Sequence, residues 1–201
     1  VIGDIGGRGP VKNKIITLEN GTWLAPASIE TDTVWDAFVD ISRDHGKTWI
    51  KSGIVPLNRD KFQGKGVIQP TLWESEPGKV HMLLRSTEGC IYKSDSDDNG
   101  LTWCEAYVID IPNNNSGIDL VKMKDGRLVL VYNPVGGNWA ARTPIACSIS
   151  SDNGRSWSEK FILDHNENPI DGTDGEFSYP AVIAEGNRIY ITYTWKRRTI
   201  V

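Results

Sequence analysis

Ser42-Arg43-Asp44-His45-Gly46-Lys47-Thr48-Trp49 returns as Ser96-Asp97-Asp98-Asn99-Gly100-Leu101-Thr102-Trp103, and again as Ser150-Ser151-Asp152-Asn153-Gly154-Arg155-Ser156-Trp157. The aspartates stand 54 residues apart both times. Self-similarity at a fixed period decides an architecture before any single residue is interpreted. Each position of S-x-D-x-G-x-[T/S]-W has a mechanical reading. The Asp folds back onto turn amides, Gly permits positive φ, the hydroxyl residue bonds locally, and Trp packs under the hairpin.

Between the boxes a second, weaker repeat appears: Asn20-Gly21, Pro77-Gly78, Asp125-Gly126 and Glu185-Gly186 each separate two β-branched or aliphatic runs. These read as hairpin turns. Ile118 to Met123 precedes the third turn, Leu128 to Tyr132 follows it, Ile145 to Ser148 leads into a box and Phe161 to Leu163 leads out. One period is therefore one four-stranded antiparallel meander, and no segment has convincing helical periodicity. The fold class is all-β, and repeated four-stranded units are what a β-propeller is made from.

The period fits into the 201 residues about 3.7 times, so residues 1–201 are expected to form part of one propeller domain of about four four-stranded blades, the last ending after two strands. A ring takes about four to eight blades. An unclosed stack exposes edge strands and apolar blade faces. Either earlier blades absent from this chain or self-association is expected to cover them, and we favour the first.

Composition removes several function classes. With 39% hydrophobic and 24% charged residues the chain is neither disordered nor a membrane span. Twenty-two basic against 26 acidic residues give a net charge of −4, which argues against nucleic acid or acidic lipid as partners. Three cysteines without C-x-x-C spacing and three scattered histidines indicate neither a zinc site nor a disulfide framework, although Cys90 and Cys104 facing each other across a hairpin stays open beside free thiols. No phosphate-type glycine loop is present, so no metal and no organic cofactor is expected. No export signal is visible, and the compartment is left open.

The three boxes resemble the Asp-boxes, or bacterial neuraminidase repeats, of the sialidase superfamily, whose catalytic domains are six-bladed propellers. More closely, Arg8-Gly9-Pro10-Val11-Lys12-Asn13-Lys14, Ala25-Pro26-Ala27-Ser28-Ile29-Glu30, Gln69-Pro70, Asn115-Ser116-Gly117-Ile118-Asp119, Tyr132-Asn133 and Ser178-Tyr179-Pro180-Ala181 resemble the sialidase-like group often labelled predicted neuraminidases. The end, Thr192-Tyr193-Thr194-Trp195-Lys196-Arg197-Arg198, is similar to that group's last blade, which implies that about two N-terminal blades precede this part. The resemblance implies a glycoside hydrolase with an arginine triad for the substrate carboxylate, a Tyr nucleophile assisted by Glu, and an Asp acid/base. The first arginine and the acid/base of that set belong to the N-terminal region, and the F/Y-R-I-P motif is absent from this sequence. Fold does not by itself dictate reaction.

Strand geometry supplies a filter independent of resemblance. In an antiparallel meander the start of strand one, the end of strand two and the start of strand three share one rim, and the Gly turns and boxes share the other. Asp44, Asp98 and Asp152 are therefore expected to be structural. The first rim collects Arg8, Lys12, Lys14, Glu30, Asp32 and Trp35 from unit one and Gln69, Arg85 and Glu88 from unit two. Unit three adds Asn115, Asp119, Asn133 and Arg142, and unit four adds Glu176, Tyr179, Arg197 and Arg198. Arginine forks bind carboxylates, amides address hydroxyls and aromatic faces stack on sugar rings, so the set suits a glycan or small sugar ligand, although loop polarity alone accounts for any single member.

Within that rim Tyr179 resembles in place the sialidase tyrosine, and its hydroxyl can attack an anomeric carbon if a carboxylate takes its proton. Glu176 is close in sequence. Asp119 resembles the sialidase Glu upstream of a triad arginine, and Arg142 follows it by 23 residues. Glu30 and Asp32 form a carboxylate pair near Trp35, where an aromatic wall can raise one pKa for general-acid work. Asp32 stands 24 residues beyond Arg8, reminiscent of the spacing from triad arginine to acid/base. The leading expectation is exo-acting removal of a terminal acidic sugar such as sialic acid, with Tyr179, Asp119, Glu176, Glu30 and Asp32 as catalytic candidates. Arg8, Lys12, Lys14, Trp35, Gln69, Arg85, Asn115, Asn133 and Arg142 are the substrate-binding candidates. The alternatives are a non-catalytic carbohydrate- or protein-binding propeller, and a glycosidase or lyase for another sugar.

Overall fold

A computed structural model of the chain describes residues 9–10, 12–166 and 175–201. Arg8 lies outside the described residues. The chain builds four consecutive antiparallel sheets, the blades of a β-propeller. Blade one holds β1 (Gly9–Pro10), β2 (Ile16–Thr17), β3 (Trp23–Glu30), β4 (Trp35–Ser42) and β5 (Ile50–Lys51), with β1 and β2 both pairing with β3. Blade two is β6 (Val67–Glu76), β7 (Lys79–Ser86), β8 (Cys90–Ser96) and β9 (Tyr107–Pro112). Blade three is β10 (Asp119–Lys122), β11 (Leu128–Tyr132), β12 (Ile145–Ser150) and β13 (Phe161–Asp164). Blade four, expected to stop after two strands, has three: β14 (Phe177–Glu185), β15 (Arg188–Trp195) and β16 (Thr199–Ile200). Lys196 and Arg197, both at positive φ, make the tight turn that returns the chain for the third.

The boxes fold as their residue types demand. In the first, Asp44 Oδ1 accepts from the Thr48 amide at 2.8 Å and Oδ2 from the Thr48 hydroxyl at 2.7 Å, while Ser42 Oγ accepts from the Gly46 amide at 2.8 Å. The same bonds recur around Asp98 and Asp152. Residue and glycine at each tip are left-handed, His45-Gly46 at φ 56° and 84° for instance, a conformation that glycine adopts without the penalty of a Cβ. These glycines also need to be bare. A Cβ on Gly100 would come within 2.9 Å of Leu24 in blade one, and one on Gly154 within 3.2 Å of Trp73 in blade two.

With so many donors around it, the Asp44 carboxyl is held down at about 2, first by the Thr48 amide and hydroxyl, and Asp152 likewise by Ser156. A carboxyl lowered in the folded state contributes stability that is fully present above its ordinary value near 3.8 and lost as pH falls towards 2. The urea midpoint is therefore expected to drop steeply between pH 4 and pH 2. In Asp152→Asn that drop should be visibly shallower, and an unchanged slope would detach the boxes from acid stability.

Packing runs blade to blade: β6 lies against β3 and β4, β10 against β6, and β14 against β10 and β11. One apolar cluster (Leu24, Val39, Leu72, Met82) fills the first junction, another (Trp73, Leu83, Ile118, Leu130) the second, and a third (Val131, Ile145, Phe177, Val182) the last. β11, Leu-Val-Leu-Val-Tyr, is buried throughout because it is covered on both faces, and it has no polar alternation for the same reason. The three cysteines are free thiols, Cys104 exposed. Among the described residues no helix is long and apolar enough to cross a membrane.

Candidate functional site

Three consecutive residues of the segment before β2 stitch the blades together. Lys12 Nζ donates to the carbonyls of Ile118 (2.7 Å, before β10) and Pro180 (2.9 Å, β14). Asn13 Nδ2 donates to the carbonyls of Gln69 and Pro70 in β6, at 3.0 and 2.9 Å. Lys14 Nζ reaches both Asp119 oxygens at 2.9 Å and the Leu120 carbonyl at 2.7 Å. Burial pulls the Lys12 ammonium down to about 7, with Asp119 opposing. Lys12 and Lys14, expected to hold ligand, thus use their protons on the inner strands of other blades.

Asp119 is held the same way. Besides Lys14, its carboxylate accepts from Thr71 Oγ1 (3.0 Å), its neighbour Leu120 N (2.9 Å) and Val182 N (2.9 Å), so it ties blades one, two and four from within blade three. Both oxygens are engaged and the side chain is 3% exposed, an environment that leaves little for it to do as the proton acceptor expected from its placement. Asn133, fully buried, donates to the carbonyls of Pro144 and Phe177 rather than to a pocket. Glu88 caps the Gln63 and Gly64 amides.

The remaining candidates converge. Arg85, at the end of β7 and 4% exposed, donates through Nε to Asn115 Oδ1 (2.7 Å) and through Nη1 to Gln69 Oε1 (3.1 Å). Its guanidinium lies 5.6 Å from the Trp35 ring centre and 5.9 Å from that of Trp139. Arg142 stands beside it, 5.9 Å from Trp139 and 5.1 Å from the Tyr179 ring. Burial lowers the Arg85 pKa and the charge of Arg142 lowers it further, whereas a hydrogen bond with Tyr179 and the charge of Glu30 oppose that. Two arginines, a tyrosine hydroxyl and a carboxylate therefore share one rim. Glu30, at the end of β3, is exposed and accepts from Ser28 Oγ (3.0 Å). Asp32 lines an adjoining cleft with Trp35, Lys65 and Trp139.

Glu176 anchors the fourth-blade side. It accepts from Arg142 Nη1 (2.8 Å), Ser178 Oγ (2.7 Å) and Arg197 Nε. Burial would raise its pKa, but the bonds from Ser178 and Arg197 and the charge of Arg142 outweigh that and lower it. Glu176 is thus an ionised support for Arg142 rather than an acid.

Backbone strain gathers at the same rim. Gln69, Asn115 and Tyr179 have φ of 52°, 56° and 50°, each left-handed without being glycine. Gln69 and Tyr179 both precede a proline inside a β-bulge, between Ile68 and Thr71 in β6 and between Ser178 and Ala181 in β14. A bulge re-aims a side chain, and such conformations persist where surrounding structure over-determines them, which is typical of binding sites. Trp139, 66% exposed, and Asn138, which accepts from Asn115 Nδ2 at 2.8 Å, complete the rim. Both escaped the sequence reading. Their signal was Gly136-Gly137-Asn138-Trp139, a turn placed between an aliphatic strand and the next one on this rim. Among the described residues, no His, Cys, Asp or Glu side chains gather as a metal-holding group.

Known structures share this architecture. The chain superposes on Hadza microbial sialidase Hz136 with a TM-score of 0.72 at 19% identity, over 90% of this chain and 34% of that one. NanB sialidase of Streptococcus pneumoniae gives 0.68 at 19%, over 90% and 27%. Trypanosoma rangeli sialidase gives 0.66 at 18%, over 89% and 28%. The chain thus spans about a quarter to a third of the length of these structures. No curated protein sequence matches it. The BNR repeat-like domain pattern, however, matches residues 4–191, nearly the whole chain. With three box turns in register, the chain belongs to the BNR repeat-like family, and its fold is that of sialidase propellers.

Proposed function

We propose that this chain carries the carboxylate-binding side of a sialidase-like glycoside hydrolase that removes a terminal acidic sugar such as sialic acid. The observation that carries this is Arg85: a buried guanidinium beside a second arginine, bonded through Nε and Nη1 to neutral amides and, among the described residues, to no carboxylate. Such a charge is costly to bury, and a bidentate ligand carboxylate compensates it. Tyr179, stacked under Arg142 and reaching Arg85, is the nucleophile of the proposal, with Glu30 as the exposed carboxylate nearby. Trp35 and Trp139 offer faces for a sugar ring.

A second reading, a carbohydrate-binding propeller without turnover, is favoured by one specific observation. Asp119 and Glu176 have their oxygens engaged by lysine, arginine and hydroxyl partners, which removes two of the four acidic candidates from proton transfer.

Calorimetric titration with N-acetylneuraminic acid and its methyl ester, beside a fluorogenic sialoside assay, separates these readings. The acid is expected to bind at least tenfold more tightly than the ester, with turnover lost in Tyr179→Phe. Binding without turnover leaves the second reading standing. Equal binding of acid and ester removes the carboxylate clamp, and turnover that survives its removal points to another sugar.

A further inference from the structure

On the opposite rim, where β6 turns into β7, the chain holds a second set of chemically competent side chains. Cross-strand register places Trp73, His81 and Asp95 side by side on β6, β7 and β8. Side chains at paired positions share a sheet face, here the one towards blade three. Ser75 follows Trp73 by two residues and sits in a bulge between Glu74 and Glu76. That bulge brings Ser75 Oγ to 2.7 Å from His81 Nε2, while His81 Nδ1 is 2.5 Å from Asp95 Oδ1.

The surroundings hold this order in place. Asp95 is fixed from its far side by Tyr107 Oη at 2.7 Å, with Lys93 Nζ 3.4 Å from the oxygen facing His81. Burial would raise the Asp95 pKa, but the bonds from His81 and Tyr107 outweigh it and hold it at about 2, so the carboxylate is ionised. An ionised acceptor on Nδ1 keeps the proton there and leaves Nε2 free to take one from Ser75. The imidazole stacks on Trp73 with ring centres 5.0 Å apart, which fixes its plane. From blade three, Asn153 accepts through Oδ1 from Trp73 Nε1 at 2.7 Å, and its Nδ2 stands 3.4 Å from His81 Nε2. An amide group of the next blade therefore borders His81 Nε2, the nitrogen that faces Ser75.

We propose that Ser75, His81 and Asp95 form a second hydrolytic centre, separate from the arginine rim, that cleaves short-chain acyl esters. Ser75 Oγ bonds to the acyl carbon as its proton passes to His81 Nε2. The ester C–O bond then breaks and the same proton leaves with the alcohol. Water repeats the cycle: its oxygen bonds to the acyl carbon as its proton passes to Nε2, the bond from that carbon to Ser75 Oγ breaks, Nε2 returns the proton to Ser75 Oγ, and the carboxylic acid is released. No oxidant, metal or cofactor enters the balance. Ser75 and His81 are the catalytic residues, and Asp95 is a positioning residue. Ser75 is half-buried at the edge of a sheet, which suits a small acyl group with the alcohol part left in solvent.

The test is labelling of the intact chain with a fluorophosphonate probe, read by mass, together with p-nitrophenyl acetate hydrolysis. One label per chain, mapped to Ser75, is expected, and Ser75→Ala should remove it and lower nitrophenolate release at least tenfold. Asp95→Asn should slow labelling at least tenfold while still reaching one label per chain, a rate-against-amplitude split that a purely structural aspartate does not produce. His81→Gln should abolish labelling while far-ultraviolet circular dichroism stays that of the wild type. If His81→Gln fails to fold, Ser75→Ala and Asp95→Asn decide. No label on Ser75, or release unchanged in Ser75→Ala, overturns the proposal.

Discussion

Asp119→Ala is expected to lower the folding free energy by about 3–4 kcal/mol, the cost of removing one partner from a buried ion pair. For a chain of this size that corresponds to roughly 10 °C in melting temperature. The reason is that one carboxylate terminates bonds from three other blades: Lys14, Thr71 and the Val182 amide. Its removal strands the Lys14 ammonium and leaves a buried backbone amide and a hydroxyl without their acceptor. Lys14, with a side chain 31% exposed, recovers part of the loss through water, which places the effect at the lower end of the usual range. Asp119→Asn keeps the shape and some of the bonds and should fall between wild type and alanine. Urea unfolding followed by tryptophan fluorescence measures both. A midpoint unmoved by Asp119→Ala would show that the blades do not depend on this carboxylate.

Arg85→Met is expected to weaken binding of N-acetylneuraminic acid by about 2–4 kcal/mol, roughly 30- to 700-fold, because a desolvated charge pair loses one member. The stability change should be small, within about 1.5 kcal/mol. Burial already works against the guanidinium, and Arg142 adds repulsion, so removing the charge relieves both. Gln69 and Asn115 lose their donor, and at about 1 kcal/mol for a typical hydrogen bond these losses offset the relief. A residue that matters for binding and little for folding is the mark of a functional charge. Methionine keeps an unbranched apolar side chain in place of the arginine stem, so a lost ligand signal reports charge and not collapse. Retained affinity for the acid over its methyl ester would remove Arg85 from the proposed clamp.

How far each site residue was legible depends on what its role requires. The rim of Arg85, Arg142, Tyr179 and Glu176 followed from strand polarity alone, since alternate loops of a meander lie at opposite ends. Trp35, Gln69 and Asn115 came with it. The tasks of Lys12, Lys14, Asp119 and Asn133 were not legible. Each stands near the same rim, and only the closing of blade on blade turns it towards a carbonyl or carboxylate of another unit rather than towards solvent. Trp139 was hidden because an aromatic residue in a glycine-rich turn has no periodicity to reveal it. The Ser75 centre was hidden differently: its members come from three strands of one sheet and depend on one bulge, and a shift of one residue sends a strand side chain to the other face.

The sequence by itself determined the repeat, the all-β meander, the hairpin positions and the family, because those rest on local chemistry. A glycine after a left-handed residue, an aspartate facing four turn groups and an alternation of period two each act within a few residues of chain. The tertiary structure decided which polar groups hold the blades together and which remain to meet a ligand. That choice depends on distances between residues as far apart as Lys12 and Pro180. A buried polar group takes whichever partner the packing brings within reach, and composition does not specify that partner.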